Sequence, residues 1–393
     1  MRIVIYTVDL YEGREFLMPW RTVLEMAQKM AIKGHKVIVI NGCSGVVKTS
    51  IFQSDNNMAI LPRIDYEWRG VRIKAIKSGY KALALVVEEI KADVLYTQIT
   101  WRDGLRNLSP LKKLNCKKIA YFSGGIFELG SALMLANRWG IKEAKPYLIE
   151  SLMPKFLLVN KLKRIAVEYL LGFTPYTTEC VKKAGFFNSR TIVTGKDAFE
   201  VIVPDSSILE KYNLKGKKFM LFSGAPSPTR GACEVLRALD KVCIDDICIV
   251  MLMRTDVGSD YTNFNRVYEQ MMHKDRVMII KEKITREQLR AFFGAAYFSL
   301  LPFIVVPSEI PVTYLEVLSC GTPIITFPNG GTTKYLKSGL LVSSKSISGL
   351  ANTLQEGWIN EDKRKQLSDA ALILMSKHPT WEEVTTQMLD LIG

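Results

Sequence analysis

Glu316 is the acid in this 393-residue chain whose position most needs a chemical explanation. It falls within Pro307-Ser-Glu-Ile-Pro-Val-Thr-Tyr-Leu-Glu-Val-Leu-Ser-Cys-Gly-Thr-Pro-Ile-Ile-Thr326. Pro311 suits a first helical turn, where its missing N–H costs nothing, and Gly321 with Pro323 stops a helix before the β-rich run that follows. The spacing therefore predicts a helix over about 311–319. Glu316 sits in it among Val312, Leu315, Val317 and Leu318, which a packed helix buries, so its carboxylate needs a partner. The residues leave two readings open: an acid on the helix's one polar stripe, or an acceptor of two hydrogen bonds from a vicinal diol such as a ribose.

A second candidate element is Ser223-Gly-Ala-Pro-Ser-Pro-Thr-Arg-Gly-Ala232, between a predicted strand and a predicted helix. Gly224 lets backbone approach a ligand, and Arg230 offers a guanidinium fork suited to phosphate. The amides of Val312 and Thr313 open the 311–319 helix, where unpaired N–H groups and the helix dipole favour an anion. Arg254 follows the next strand and is either a further cation for such an anion or an ordinary surface arginine. The seven cysteines are scattered without a CxxC pair and there are only three histidines, which argues for a reducing compartment and against zinc. No DxD metal motif occurs. His35, His273 and His378 fall at expected surface turns or helix ends and are assigned no chemistry.

Glu316-Val-Leu-Ser-Cys-Gly-Thr-Pro323 resembles the second half of the donor-site signature of retaining GT-B glycosyltransferases, especially those like glycosyltransferase family 4: E-x7-E followed by a small-Cys-Gly-x-Pro turn. The resemblance implies an α/β GT-B fold, two Rossmann-like domains facing across a cleft. It implies transfer of a sugar from a nucleotide-diphosphate sugar to a hydroxyl of a glycan or lipid-linked acceptor, in cell-surface polysaccharide or lipopolysaccharide synthesis, with no metal and no further cofactor. Under it Glu316 holds the ribose. Eight residues earlier stands Ser308, with Glu309 one position on, and Glu309 is the acid left for the sugar. Arg230-Gly231 takes the place of the family's Lys-Gly pair, while Ala225 replaces an expected Arg and Pro311 an expected Gly. Arg230 with the amides of Val312 and Thr313 would then stabilise the departing diphosphate. Ser223 and Gly224 would line it, Gly13 would lie beneath it, and the Ile280–Ile284 loop, ending at Ile284, would meet the base. Ser123-Gly-Gly125 stands where many relatives carry a histidine.

Stepping through the elements, Ile3–Thr7, a helix over Pro19–Lys33 and Lys36–Asn41 read strand, helix, strand, the order of a parallel α/β sheet. Further strands are expected at Val94–Gln98, Lys118–Ser123, Phe173–Tyr176 and Ser189–Thr194, with strand-like Val201–Pro204. The second half alternates more cleanly from Phe219–Gly224 onward. The expected division is 1–204 for acceptor binding, 205–378 for donor binding, and 379–393 as a helix that the resemblance carries back to the first domain.

Residues 1–200 hold 31 Lys and Arg against 18 Asp and Glu, while residues 201–393 hold 22 against 21, so the net +14 belongs to the first half. Such asymmetry favours an anionic partner. The stretch from Ser131 to Gly172 combines Trp139, Phe156 and leucines with Lys155, Lys161, Lys163 and Arg164. It reads either as an interfacial segment for an anionic membrane or as a helix pair packed on the sheet. No run reaches the length of a membrane span, and no signal peptide precedes the first strand. The expected location is cytoplasmic, peripheral on the inner face of the membrane. Two rival classes remain: a non-catalytic GT-B module that binds nucleotide sugar or serves as a partner subunit, and a nucleic-acid-binding α/β protein, for which no reader motif is present.

Overall fold

The computed structural model describes residues 1–43, 63–122, 124–254, 261–306 and 308–393. Ser123 and Pro307, both part of the motifs above, lie outside them. The first sheet comprises β1 (Arg2–Val8), β2 (Lys36–Cys43), β3 (Tyr66–Trp68), β4 (Val71–Lys77), β5 (Val94–Ile99), β6 (Lys117–Phe122), β7 (Tyr169–Gly172) and β8 (Ser189–Thr191), in spatial order β3-β4-β2-β1-β5-β6-β7-β8. All pairs are parallel except the short β3–β4 hairpin. The second sheet comprises β9 (Met220–Gly224), β10 (Ile249–Met253), β11 (Val277–Ile280), β12 (Phe298–Leu300), β13 (Ile324–Thr326) and β14 (Leu340–Val342), all parallel, in order β11-β10-β9-β12-β13-β14. Strand order reverses between β1 and β5 and between β9 and β12, and the loops at the carboxyl ends of strands beside such reversals are where open α/β sheets place ligands. The Gly13 loop leaves β1; the Arg230 loop leaves β9.

Two expectations of local structure are corrected. Phe173–Tyr176 is no strand: Thr174 caps a helix over Pro175–Lys183 by accepting from the Thr177 amide, and Pro175 takes the first helical position. Val201–Pro204 forms no strand either, because Phe199–Val201 is a single 3₁₀ turn and no neighbouring strand is available to pair with it.

The segment after β6 departs from the usual sheet-covering helix. Helices Leu129–Trp139 and Ile141–Leu152 place Leu135 and Ala144 in the core of the second domain, with Phe127, Tyr147 and Leu148 packed against it. Arg138 reaches the fully buried Glu234 at 3.3 Å and donates to the Lys345 carbonyl at 3.3 Å. Helix Lys155–Arg164 instead buries Leu158, Val159 and Leu162 in the first domain. At the far end, helix Trp381–Asp390 lies on helix Trp20–Ile32, with Val384, Met388 and Ile392 in the core beneath β1. The two domains are thus clasped on opposite flanks.

His378 stands at a helix end as expected, closing helix Glu361–Lys377, but it is not at the surface: it is only 3% exposed. Its Nε2 meets the Thr194 carbonyl at 2.8 Å and so carries the proton, leaving Nδ1 to accept from the Tyr335 hydroxyl at 3.1 Å. Burial pushes this imidazole down to about 4, despite the Thr194 carbonyl, which favours the charged form. An unfolded histidine takes its proton near pH 6.5, so the unfolded chain binds the extra proton first and stability falls as pH drops from about 6.5 towards 4, by up to about 3 kcal/mol. Urea unfolding between pH 4.5 and 7 should show that loss in the wild type and a flatter profile in His378→Asn.

Candidate donor site

Helix Val312–Ser319 begins one residue after Pro311 and buries Leu315, Val317 and Leu318. Tyr314 anchors it to the sheet, its hydroxyl lying 2.9 Å from the Leu301 carbonyl and 2.8 Å from Thr326 Oγ1. These contacts fix the rotation of the helix and point Glu316 into the gap between the domains. The Glu316 side chain is 13% exposed and faces two guanidinium groups, that of Arg21 from the first domain at 3.7 Å and that of Arg286 from the second at 3.9 Å. Burial raises the Glu316 pKa, while Arg21, Arg286 and Arg254 act in the opposite direction. Both ion pairs are longer than a hydrogen bond, so the acid has charge partners but no tight ones.

The tight partner of those arginines is Asp197. Its carboxylate accepts from Arg21, from Arg286 at 2.8 Å and from the Trp381 indole at 2.8 Å. Three elements, the Trp20–Ile32 helix, the helix Arg286–Ala295 and the C-terminal helix, meet at this one side chain. Gly195 makes the approach possible, since a Cβ there would come within 2.7 Å of the Trp381 Cα. Arg21 is 5% exposed, and its Nε has no hydrogen-bond partner.

Around β9, Gly231 starts helix Ala232–Leu239 at φ +78°, and any side chain would collide with the Pro302 carbonyl oxygen. Arg230, just before it, stacks its guanidinium over the Phe303 ring at 5.3 Å and lies beside Gly224, where a Cβ would be 3.4 Å from the arginine. Its charge also acts across the domain gap on the Tyr147 hydroxyl. Arg254 donates its backbone N–H to the Gly224 carbonyl at 3.1 Å, which places it at the same sheet edge. Ser223 is the half-buried penultimate residue of β9. The Val312 and Thr313 amides, at the first turn of their helix, have no intrahelical acceptor. Ile284 packs at the rim of the second core, just before a helix closed by the reciprocal Thr285–Gln288 capping box. Gly13 is exposed at φ +94°, its N–H donating to the buried Glu15 at 2.7 Å.

Glu309 is 2% exposed and spans the two domains. One carboxylate oxygen accepts from the Ile126 amide at 3.1 Å; the other accepts from the Thr174 and Thr177 hydroxyls at 2.5 and 2.6 Å. It borders a small interdomain crevice lined also by Gly125, Phe127, Ser131, Asn329 and Thr332. Among the described residues no group of three or more His, Cys, Asp or Glu is placed to hold a metal ion.

Residues 205–372 match the family model described as glycosyl transferases group 1. The second domain belongs to that family. No curated protein sequence matches the chain. Among solved structures, sucrose-phosphate synthase from Thermosynechococcus elongatus superposes with a TM-score of 0.70 at 15% identity, covering 99% of this chain and 98% of the other. HepE from Anabaena, solved with UDP, gives 0.70 at 13% identity over 100% and 99%. A glycosyltransferase from Rickettsia africae gives 0.67 at 15% identity over 100% and 97%. At such identities the likeness is one of fold, and it extends over both domains: the architecture is GT-B.

Arg21, Asp197 and Arg286 are the residues of the site that sequence reasoning did not single out. Asp197 lies in the turn just after the expected Ser189–Thr194 strand. Arg21 and Glu25 left a fainter signal, two charges at i,i+4 spacing that are buried together with Val23, Leu24 and Met26.

Proposed function

We propose that the protein is a retaining, metal-independent glycosyltransferase that moves a hexose-type unit from a nucleotide-diphosphate sugar to a hydroxyl of a glycan or lipid-linked acceptor. The observation that carries this reading is the placement of Arg230 in the loop that leaves β9, and of helix Val312–Ser319 with the loosely held Glu316 in the segment that leaves the adjacent strand β12, within the residues that match the group 1 family. As the glycosidic bond breaks, negative charge grows on the diphosphate. Arg230 and the Val312 and Thr313 amides, fixed beforehand, stabilise it. Glu316 accepts the ribose hydroxyls, and the acceptor attacks on the face the leaving phosphate vacates, so configuration is kept. Glu309 contacts the sugar in this scheme only by exchanging one of its three protein bonds for a sugar hydroxyl. Structures of HepE hold UDP and UDP-glucose, which makes uracil the first base to try.

A thermal-shift panel of UDP, GDP, ADP, CMP and their sugar conjugates tests the proposal. A ligand at 100 times its Kd adds about 2.7 kcal/mol, so one nucleotide diphosphate should raise the melting temperature by several degrees. Silence across the panel would sink the donor reading in favour of a partner subunit that binds no nucleotide sugar.

We further propose that the first domain rests on the inner membrane surface during cell-surface polysaccharide or lipopolysaccharide assembly. Ile141, Leu152 and Phe156 are exposed at 71%, 64% and 56% beside exposed Lys142, Lys145, Lys163 and Arg164. Flotation with anionic liposomes should fall with added salt and with Lys161, Lys163 and Arg164 neutralised. Absence of flotation at any salt concentration would refute it.

A further inference from the structure

The donor acid belongs to the second domain, but the group that best supports it belongs to the first. Arg21 stands on helix Trp20–Ile32, is buried, and is held by Asp197 so that one of its terminal nitrogens lies 3.7 Å from Glu316. Arg286 approaches the same carboxylate oxygen from the second domain at 3.9 Å but is nearly half exposed, with 47% of its side chain open to water, which screens its charge. Asp197 is saturated by three donors, whereas Glu316 has no hydrogen bond of normal length within the cluster. We propose that Arg21 is a positioning residue for the donor site: with Arg286 it orients the Glu316 carboxylate, one guanidinium from each domain, so that this acid is ready for a sugar nucleotide only when the first domain is closed against the second. The inference rests on the donor reading above.

The physical ground is the balance at a buried acid. Desolvation favours the neutral form of Glu316 and the neighbouring guanidiniums favour the anion. A neutral carboxyl accepts the hydrogen bonds of a diol less strongly than a carboxylate does. The charged and titratable groups around it are Arg21 with Glu25 behind, Asp197 in the turn after β8, Arg254 after β10, Arg286, and Cys320 one turn further along its own helix. Only Arg21 among the cations is both buried and supplied by the other domain, so opening of the cleft removes it and leaves the more exposed pair.

The test compares wild type, Arg21→Met and Arg21→Lys by two readouts. One is the Glu316 carboxyl titration followed by carbon NMR on glutamate-labelled protein, assigned with Glu316→Gln. The other is calorimetric affinity for UDP-glucose, GDP-mannose and ADP-glucose at pH 6.5 and 8.5. Loss of the Arg21 charge should raise the Glu316 midpoint by about one pH unit, a tenfold change in its proton equilibrium. Sugar-nucleotide affinity in Arg21→Met should drop at pH 6.5 by up to about tenfold, the limit a one-unit shift sets, and by less at pH 8.5, with Arg21→Lys close to wild type. A midpoint that does not move overturns the inference whatever the affinities show. A midpoint that moves with an affinity loss equal at both pH values also overturns it, assigning Arg21 to direct ligand contact or to folding. If the wild type binds none of the three sugar nucleotides, the donor reading fails, and a shifted midpoint then leaves Arg21 as an interdomain brace alone.

Discussion

Arg230→Ala is expected to lower kcat/KM for sugar transfer by about 10²–10³, the loss typical of removing one preorganised donor from a developing anion. The side chain is not a freely moving surface arginine. Its guanidinium is stacked on Phe303 at 5.3 Å, flanked by Gly224, and followed by Gly231, whose left-handed φ of +78° leaves no room for a side chain. A fixed cation at a sheet edge requires little reorganisation when charge appears on the diphosphate, and that is the condition under which electrostatic stabilisation is largest. The loss should therefore fall on kcat more than on KM. Arg230→Lys should recover part of it, because a point charge replaces a fork. With Ala225 where the family carries another arginine, no second cation lies on this loop to compensate. Steady-state kinetics on the donor identified by the nucleotide panel provide the check, and an unchanged kcat/KM would remove Arg230 from the site.

How much of this was legible in the chain depends on whether the information was local. The signature helix, its proline start and its glycine stop are neighbours in sequence, and the structure places that helix at Val312–Ser319. The same holds for the strand and helix alternation that makes the two sheets, and for the Thr285 capping box. Glu316 was recognisable as a buried acid because its own helix is otherwise apolar. Its partners were not recognisable, since Arg21 comes from the other domain and Arg286 from a different helix of its own domain, and only the packed chain brings them together.

The misread elements fail for nameable reasons. Phe173–Tyr176 carries strand-forming side chains, but Thr174-Pro175 is a helix start, and a cap with a proline at the first position outweighs the aromatic propensity. Val201 and Val203 have strand-forming side chains but no sheet edge beside them, and they end 72% and 79% exposed. The hairpin of helices Leu129–Trp139 and Ile141–Leu152 shows a third limit. Periodicity reveals which face of a helix is apolar, but not which body that face meets, and here it meets the second domain.

Asp197→Ala should destabilise the protein by about 3–5 kcal/mol, equivalent to roughly 10 °C in melting temperature for a domain of this size. The substitution removes the acceptor of Arg21, Arg286 and the Trp381 indole in one step. Arg286 is half exposed and can turn to water, but Arg21 cannot. Its side chain is 6% exposed, its Nε already lacks a partner, and its remaining neighbour Glu316 is 3.7 Å away. A buried guanidinium left with only the more distant acids Glu316 and Glu25 costs more than the ion pair contributed, which places the effect at the upper end for a single substitution. Asp197→Asn should fall between, because its amide oxygen still accepts from Trp381 while the charge is gone. Since Asp197 joins the first domain, the second domain and the C-terminal helix, the loss should also uncouple them. Calorimetry of Asp197→Ala should show a lower and broader transition, and small-angle scattering at room temperature a larger radius of gyration. A variant within about 1 kcal/mol of wild type and equally compact would show that the clasps at Arg138 and Glu309 hold the domains together without this hub.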